Sequence, residues 1–348
     1  MALAWAVASG LTSYVIGWLV FRLLNRLRVL DVPNERSSHS EVTVRGGGVS
    51  IVVPLIFVLG FLTLKDGSIP VTALLVGVVI VSAISLLDDI YSLPVRVRLI
   101  GQLVASSIFL VSSSWSFFRS TVSQSESLLL LSAGLLFLIW IVGYSNAFNF
   151  MDGINGLAGF QAAITSCFTL FVIWFLTGQA DSGPFLASAV LAGAAIGFLP
   201  HNFPSARMFM GDVGSVTVGF SLASVVVWSC IEFGTMVAIP LLLIHSNFVL
   251  DTGVTLVRRI LRKERWWTPH RSHFYQIWLR SGASHSRVTL TELVLQIICS
   301  LLLALFLLVE SPWRTLLPVA SILIWLGYFI FCEFQWSRFQ EVKNNEGG

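Results

Sequence analysis

The sequence carries very little charge for its length. Of its 348 residues only 11% are Asp, Glu, Lys or Arg, whereas 55% are hydrophobic and the mean hydropathy is +0.84. Soluble globular domains have about twice that charged fraction, so the composition excludes a soluble globular protein. Repeated apolar runs of about 20 residues are typical of membrane-spanning helices. We therefore predict an all-α, polytopic membrane helix bundle.

Cysteine is equally scarce. The four cysteines all lie in apolar runs and have no metal-ligand spacing, so they indicate neither a metal centre nor disulfides and are interpreted as small core residues. A cleavable signal peptide is also disfavoured. The first apolar run lacks a basic start and is followed by Arg22, Arg26 and Arg28 instead of a small-residue cleavage site, which predicts a retained helix.

Eleven apolar runs qualify as membrane spans, and the basic residues orient them. Of 21 Lys and Arg residues, all but Lys65, Arg119 and Arg314 fall on one side of this arrangement. Cytoplasmic loops are enriched in Lys and Arg, which predicts a periplasmic N-terminus and a cytoplasmic C-terminus. The predicted spans are 3–24, 46–64, 69–87, 99–116, 128–145, 159–178, 185–200, 214–230, 234–257, 290–309 and 313–334. Residues 1–338 then form one membrane domain with cytoplasmic loops 25–47, 88–98, 146–158, 200–213 and 258–289, followed by a cytoplasmic tail, 339–348.

The stretch NAFNFMDGINGLAG, residues 146–159, is unusually polar for a short connection between two spans. Asn146, Asn149, Asp152 and Asn155 recur at every third position. Residues three apart are neighbours on a helical turn, so this spacing predicts one polar strip. The alternative is an ordinary turn that ends a helix, because Asp-Gly and Asn-Gly are common turn signals.

Adjacent carboxylates end the third predicted span. Asp88 and Asp89 repel each other, and the helix dipole disfavours negative charge at this position. A bound Mg²⁺, which commonly joins carboxylates to substrate phosphates, would compensate both effects. Pairing with Arg96 and Arg98 at a plain helix end is the alternative.

A charged residue next to glycines precedes two other predicted spans. Asp212, flanked by Gly211 and Gly214, lies just before span eight, where it is either a helix cap or part of a phosphate or magnesium-phosphate site. Arg45 and three following glycines lead into span two, and a cation at a helix start favours an anion.

The loop 258–289 combines basic, aromatic and histidine residues. Its first half, with Trp266 and Trp267, is typical of an amphipathic helix on anionic lipid headgroups. Its second half places His270 and His273 around Arg271, donors that suit nucleotide phosphates. A zinc pair stays open but lacks further ligands. His245, alone in span nine, is interpreted as a satisfied core histidine.

Together, LLDDIYSL, NAFNFMDGINGLAG, FMGDVGS and HRSHFYQ resemble the motifs of the polyprenyl-phosphate N-acetylhexosamine-1-phosphate transferases, the WecA/MraY-like membrane enzymes, over almost the whole chain. The opening DVPNERSSH and RGGG resembles the branch that starts O-antigen or other surface polysaccharides. The resemblance implies transfer of a sugar phosphate from a UDP-N-acetylhexosamine to undecaprenyl phosphate and release of UMP. The implied cofactor is Mg²⁺, for which Mn²⁺ can substitute. It also implies a bacterial inner-membrane enzyme with a cytoplasmic active site, in contact with membrane lipids, often dimeric and without a nucleic-acid partner.

The resemblance also assigns roles, motif by motif. Asp212 would be the leading Mg²⁺ ligand, with Asn149 beside it near the pyrophosphate. Asp88 and Asp89 would orient or deprotonate the lipid phosphate. Asp152 would be a further catalytic residue and would line the nucleotide site with Asn155, and Arg98 matches a basic position that follows the Asp-Asp pair. The substrate-binding residues would be Arg45, Arg98, Asn146, Asn149 and Asn155. Asn155 replaces an Asp found in some relatives.

The histidine-rich loop of the family would correspond to His270, Arg271 and His273, which would be catalytic. The positive charge of the two histidines would oppose the negative charge that develops on the departing uridine phosphate. HRSH departs from the triple-His form of the peptidoglycan branch, which argues against a muramoyl-pentapeptide substrate. Direct attack by the lipid phosphate is favoured over a covalent intermediate, because a phosphomonoester is already mostly dianionic near neutral pH.

A transporter and a non-catalytic subunit are the two alternative functions. A secondary transporter predicts inverted repeats and broken spans at the midplane, and the sequence shows neither. A non-catalytic polysaccharide-assembly subunit would have no use for four polar motifs on one face. GlcNAc, GalNAc, QuiNAc and FucNAc all stay open as the sugar.

Overall fold

The computed structural model describes residues 1–31, 42–121, 127–265, 268 and 270–346. Long apolar helices dominate this part of the chain, and ten are long enough to span a membrane singly. The helices are α1 Ala2–Leu27, α2 Val49–Asp66, α3 Ile69–Tyr91, α4 Val95–Thr121, α5 Ser127–Met151, α6 Leu157–Thr177, α7 Gly183–Asn202, α8 Gly211–Phe233, α9 Ala238–Leu243, α10 Ser246–Leu261, α11 Phe274–Arg280, α12 His285–Leu308 and α13 Leu316–Glu346. The predicted membrane helix bundle is confirmed.

The ninth predicted span, 234–257, is not one helix. The segments Thr235–Leu243 and Ser246–Leu261 meet at a bend of 66°, so the expectation of unbroken spans was wrong here. The carbonyl of Ile244 accepts bonds from the side-chain amides of Gln161 (3.4 Å) and Gln296 (2.6 Å). Backbone groups freed from a helix inside a membrane need such partners, and these amides stabilise the break. Counted as one span, the bent pair completes eleven.

A small sheet lies at one end of the bundle, where the sequence predicted only loops. Strand β1, Leu30–Asp31, pairs antiparallel with β2, Thr43–Arg45, and β2 pairs parallel with β3, Met208–Phe209. The register places Arg45 opposite Phe209. The sheet therefore fixes the end of β2 against the start of α8.

Helix α8 is the centre of the bundle. Its buried length packs against α3 and α5, and its first turn contacts the start of α2 so closely that a Cβ on Gly48 would lie 2.2 Å from the Gly214 Cα. Glycine at both positions permits this approach.

The cysteines occupy different environments. Cys299 and Cys332 are buried as predicted, but Cys230 is half-buried and Cys167 is exposed. The expectation of core burial was therefore wrong for Cys167. A small apolar side chain is stable on a surface that faces lipid as well as in a core.

Candidate functional site

Five charged residues from four separate elements converge at one end of the bundle. We call them the acid–arginine cluster. Two come from the last turns of α3, one from the first turn of α4, one from the end of β2 and one from the first turn of α8. They are Asp88, Asp89, Arg98, Arg45 and Asp212. All five were predicted as site residues from sequence.

Asp89 binds the start of α8. Its carboxylate accepts hydrogen bonds from the backbone N–H groups of Asp212 (3.0 Å) and Val213 (2.9 Å). A carboxylate at a helix N-terminus satisfies free N–H groups and is stabilised by the helix dipole. Asp212 itself lies inside the first helical turn, and its side chain does not cap the helix. The cap alternative for Asp212 was therefore wrong, and the capping carboxylate comes from α3.

The two arginines each join two carboxylates. Arg45 contacts Asp89 through Nε (2.9 Å) and Asp212 through Nη2 (2.9 Å). Arg98 Nη1 lies 2.7 Å from Asp88 and 3.3 Å from Asp212. Burial opposes the charged form of Arg45, but the carboxylates of Asp89 and Asp212 outweigh it and raise the pKa of the guanidinium. These pairs relieve the repulsion between the carboxylates.

Asp88, at the end of α3, is also held by an arginine and a backbone N–H group. Asp88 accepts a hydrogen bond from the backbone N–H of Leu93 (2.6 Å) in addition to Arg98. The sequence predicted Arg96 and Arg98 as partners of the Asp-Asp pair. Arg98 forms an ion pair with Asp88, whereas Arg96 is exposed. Asp88 is 8% exposed, so both of its oxygens are engaged within the protein.

Asp152 lies near the cluster without an arginine of its own. It follows the last residue of α5, and its carboxylate makes no hydrogen bond to the part of the chain that the structure describes. Burial and then the Asp212 charge raise its pKa well above the usual value, with Arg45 acting in the opposite direction. Such a carboxylate is poised to take up a cation or a proton.

The charge balance and the donor set fit a divalent cation. Four carboxylates, those of the cluster and Asp152, face two arginines, which leaves two formal negative charges. In the described residues, no three His, Cys, Asp or Glu side chains form a ready metal cage. Mg²⁺ does not require one, since it usually keeps several waters and binds one or two carboxylates plus substrate phosphates. Asp152 and Asp212 would supply these carboxylates.

The polar strip predicted for residues 146–155 is only partly formed. Asn146 and Asn149 share α5, but the helix ends at Met151 and the chain turns away. Asn146 donates to Gln102 Oε1 (2.6 Å), and Asn149 Oδ1 accepts from the Ser215 hydroxyl of α8 (2.8 Å). The helix ends because Gly153 and Gly156 follow, and Gly156 has φ of 81°.

Asn155 lies on a different side of this turn. It donates to the Pro204 carbonyl (3.0 Å), and its Oδ1 is 3.2 Å from His285 Nδ1. None of these contacts involves the acid–arginine cluster. The expectation of a single strip was therefore wrong for Asn155, and its nucleotide role stays a prediction.

A second group of residues docks on the same turn. We call residues 270–273 the histidine loop. His273 Nδ1 lies 2.8 Å from Asp251 Oδ1, and the other oxygen of Asp251 accepts from the Phe274 N–H (2.9 Å). The His273 ring stacks on Phe150 with centroids 6.0 Å apart. Asp251 therefore fixes the ring beside the end of α5.

Tyr275 completes this docking. Its hydroxyl donates to the Phe150 carbonyl (2.9 Å), and a Cβ at residue 153 would lie 2.1 Å from that hydroxyl oxygen. Gly153 is therefore required by the contact with Tyr275. The predicted DGINGLAG glycines thus serve protein packing at this position, and the histidine loop is brought next to Asp152.

His270 is neutral in this arrangement. Its pKa is lowered to about 4 by burial and then by the charges of His273, Arg259 and Arg258. Its Nδ1 lies 2.9 Å from the Ser272 hydroxyl, and its ring is 4.9 Å from that of His273. The sequence predicted that both histidines bring positive charge to the departing uridine phosphate. For His270 this is wrong at neutral pH, where the structure gives it a neutral ring.

Asp251 was missed as a site residue. Its partner was not visible in the sequence, because the contact with His273 spans 22 positions. The available signal was a carboxylate within an apolar span, which tends to mark function. Trp266 and Trp267 lie outside the described residues.

His245 differs from its interpretation. It is 1% exposed, and its Nδ1 lies 2.8 Å from the Leu241 carbonyl, as expected for a core histidine. Its Nε2 is buried without a hydrogen-bond partner in the described chain. The expectation of full satisfaction was therefore wrong for one of its two nitrogens, because the helix break places the ring among aromatic side chains.

Comparison with known proteins identifies the family. The chain is 32% identical over 317 residues to the decaprenyl-phosphate N-acetylglucosaminephosphotransferase of Mycobacterium leprae, covering 83% of this chain and 79% of that relative. The chain belongs to glycosyl transferase family 4. The profile of that family matches residues 71–230, which include Asp88, Asp89, Asp152 and Asp212.

Two further relatives show the breadth of the family. A probable undecaprenyl-phosphate N-acetylglucosaminyl 1-phosphate transferase of Bacillus subtilis is 29% identical over 330 residues, 93% of this chain and 86% of the relative. The phospho-N-acetylmuramoyl-pentapeptide-transferase of Latilactobacillus sakei is 32% identical, but over only 194 residues, 55% of this chain and 52% of the relative. The predicted family is thereby confirmed.

Proposed function

We propose that this family 4 member transfers an N-acetylhexosamine-1-phosphate from a UDP-sugar to undecaprenyl phosphate and releases UMP. The observation that carries the proposal is the convergence of the acid–arginine cluster with Asp152 at one end of a membrane bundle. Relatives whose names give a prenyl phosphate acceptor match most of the chain. A buried lipid carrier and a polar donor would meet at such a place.

The chemistry asks mainly for positioning and charge neutralisation, because phosphoryl transfer needs little covalent work from the protein. Arg45 and Arg98 present guanidinium groups, which suit phosphate oxygens. Bound Mg²⁺, held by Asp212 and Asp152 with Asn149 nearby, would supply charge neutralisation to the pyrophosphate. Arg271 and the neutral ring of His270 would donate hydrogen bonds to the departing uridine phosphate.

The structure argues against a strong general base in the Asp-Asp pair. Asp89 binds two backbone N–H groups and Arg45, and Asp88 binds Leu93 and Arg98. Both are therefore best described as positioning residues for α8 and Arg98. A dianionic lipid phosphate needs no base, so direct attack on the donor phosphate fits this arrangement. An oxygen of the lipid phosphate would bond to the β-phosphorus of the donor as the bond from that phosphorus to the bridging oxygen breaks. UMP would leave with the bridging oxygen and its electron pair, and the sugar phosphate would stay on the lipid.

The proposal is tested by UMP release from purified protein supplied with undecaprenyl phosphate and a panel of UDP-sugars carrying GlcNAc, GalNAc, QuiNAc or FucNAc. We expect release with one or more of these and loss of release on chelation of Mg²⁺. UDP-muramoyl-pentapeptide is the contrasting donor, and selective release from it would overturn the assignment to the surface-polysaccharide branch. No release from any donor would overturn the proposed function.

We further propose that the site faces the cytoplasm of a bacterial inner membrane, as the basic loops predict. The test uses a variant without native cysteines, labelled with a reagent that cannot cross membranes. Ser68→Cys, at the end of the bundle opposite the cluster, should be labelled in intact cells, and Ser284→Cys should not. The reverse labelling pattern would overturn the orientation.

A further inference from the structure

The histidine loop is connected to the C-terminal helix by a chain of contacts. Arg258, at the end of α10, forms an ion pair with Glu333 of α13 and donates to the Ser272 carbonyl at 2.5 Å. The Ser272 hydroxyl in turn lies 2.9 Å from His270 Nδ1. One guanidinium therefore joins a transmembrane helix to the peptide that orients His270.

Aromatic contacts strengthen the same connection. Phe274, directly after the histidine loop, stacks on Phe329 of α13 with ring centroids 4.2 Å apart, and the Arg258 guanidinium lies 5.0 Å above the Phe274 ring. Arg280, at the end of α11, lies 4.4 Å above the Trp336 ring of α13. Helix α13 is thus a platform for the segment that follows the loop.

We propose that Arg258 and Glu333 are positioning residues that hold the histidine loop in its donor-binding geometry. A guanidinium can contact two partners at once through its planar fork, which a lysine ammonium does with less geometric control. The Arg258 side chain is 18% exposed and the Glu333 side chain is 43% exposed. Neither residue contacts the acid–arginine cluster, so their loss should leave the cluster intact.

The kinetic expectation depends on the proposed function, whereas the order of the loop does not. The test therefore compares Glu333→Ala with Glu341→Ala, a matched change on the exposed C-terminal end of the same helix. Hydrogen–deuterium exchange of peptides covering residues 270–280 reports loop order without any turnover. UMP release with the donor and the lipid varied in turn gives the kinetic constants.

We expect faster exchange at 270–280 in Glu333→Ala and a fall of roughly tenfold in kcat/KM for the UDP-sugar, typical of a remote positioning residue. The KM for undecaprenyl phosphate and the Tm should not change, and Glu341→Ala should match the wild type. Arg258→Lys should reproduce the donor defect, because its ammonium cannot hold both partners in the same geometry.

Unchanged exchange in both Glu333→Ala and Arg258→Lys would overturn the positioning role, whatever the kinetics. Faster exchange with unchanged donor kcat/KM would overturn its link to donor binding. If the wild type releases no UMP from any donor, the proposed function fails, and the exchange experiment still decides whether α13 orders the loop.

Discussion

The acid–arginine cluster is held by ion pairs between side chains of four elements, whereas the histidine loop is held by side chains that bind its backbone. In the cluster, Arg45 and Arg98 each contact two carboxylates, and Asp89 also caps α8. Arg258 binds the Ser272 carbonyl of the loop, and Asp251 binds the His273 ring and the N–H of the next residue, Phe274. The cluster is therefore preorganised by the helix bundle, and the loop depends on a few anchors.

This difference separates two kinds of function. Groups fixed by ion pairs to buried carboxylates keep their geometry through a reaction and stabilise charge without reorganisation. A loop anchored at its backbone can adjust when a donor binds and leaves. We expect the cluster to set the rate of phosphoryl transfer and the loop to set the use of the nucleotide donor.

The largest effect should come from Asp212→Asn. The substitution removes a carboxylate that both arginines contact and that would hold the cation, so turnover should fall roughly 100- to 1,000-fold. Folding should survive, because Asp89 caps α8. UMP release and Tm measure the two effects, and Asp66→Asn, at the opposite end of the bundle, is the control. Full activity of Asp212→Asn would contradict a role of the cluster in the reaction.

His270→Ala and His273→Ala should have the next largest effect. Each removes a group from the nucleotide side, and a hydrogen bond to a charged group contributes about 1.5–3 kcal/mol. The kcat/KM for the UDP-sugar should therefore fall about 10- to 100-fold. Both substrates are varied in separate series. A defect confined to the KM for undecaprenyl phosphate would instead make this loop a lipid-binding element.

Arg45→Lys probes the preorganisation of the cluster. Lysine keeps the positive charge but cannot contact Asp89 and Asp212 with the fixed geometry of the guanidinium fork, so kcat should fall by about tenfold, the loss of one charge-assisted bond. Arg96→Lys, outside the cluster, is the matched control. An equal kcat for the two variants would show that the simultaneous contact of Arg45 with Asp89 and Asp212 is not needed for turnover.

Asp152→Asn probes stability, where we expect the smallest change in this series, a rise in Tm measured without Mg²⁺. The raised pKa of Asp152 means that its ionisation opposes folding at neutral pH. The difference in Tm between Asp152→Asn and the wild type should be largest above the folded-state pKa of Asp152. It should vanish as the pH falls to the usual pKa of an Asp carboxyl, ~3.9. Thermal melts at several pH values measure it. A lower Tm at neutral pH for Asp152→Asn would contradict the unpaired carboxylate.

Much of this architecture was predictable from composition and motif. The spans follow from apolar length, and Asp88, Asp89 and Asp212 were found because charge in an apolar chain is rare. Arg98 was predicted as a partner of the Asp-Asp pair. Arg45 was not, since Arg45 and Asp89 are joined only when β2 pairs with β3. The break at Ile244 was hidden because its stabilising amides, Gln161 and Gln296, come from other helices.

The most direct test of the account follows the β-phosphate of the donor. Purified protein receives UDP-GlcNAc labelled at the β-phosphorus, or the UDP-sugar that the panel selects, with undecaprenyl phosphate and Mg²⁺. We expect the label to pass into a lipid-linked sugar product in equal amounts with released UMP, and Asp212→Asn to prevent this. Label retained in UDP while the sugar alone reaches the lipid would contradict phosphoglycosyl transfer at the cluster.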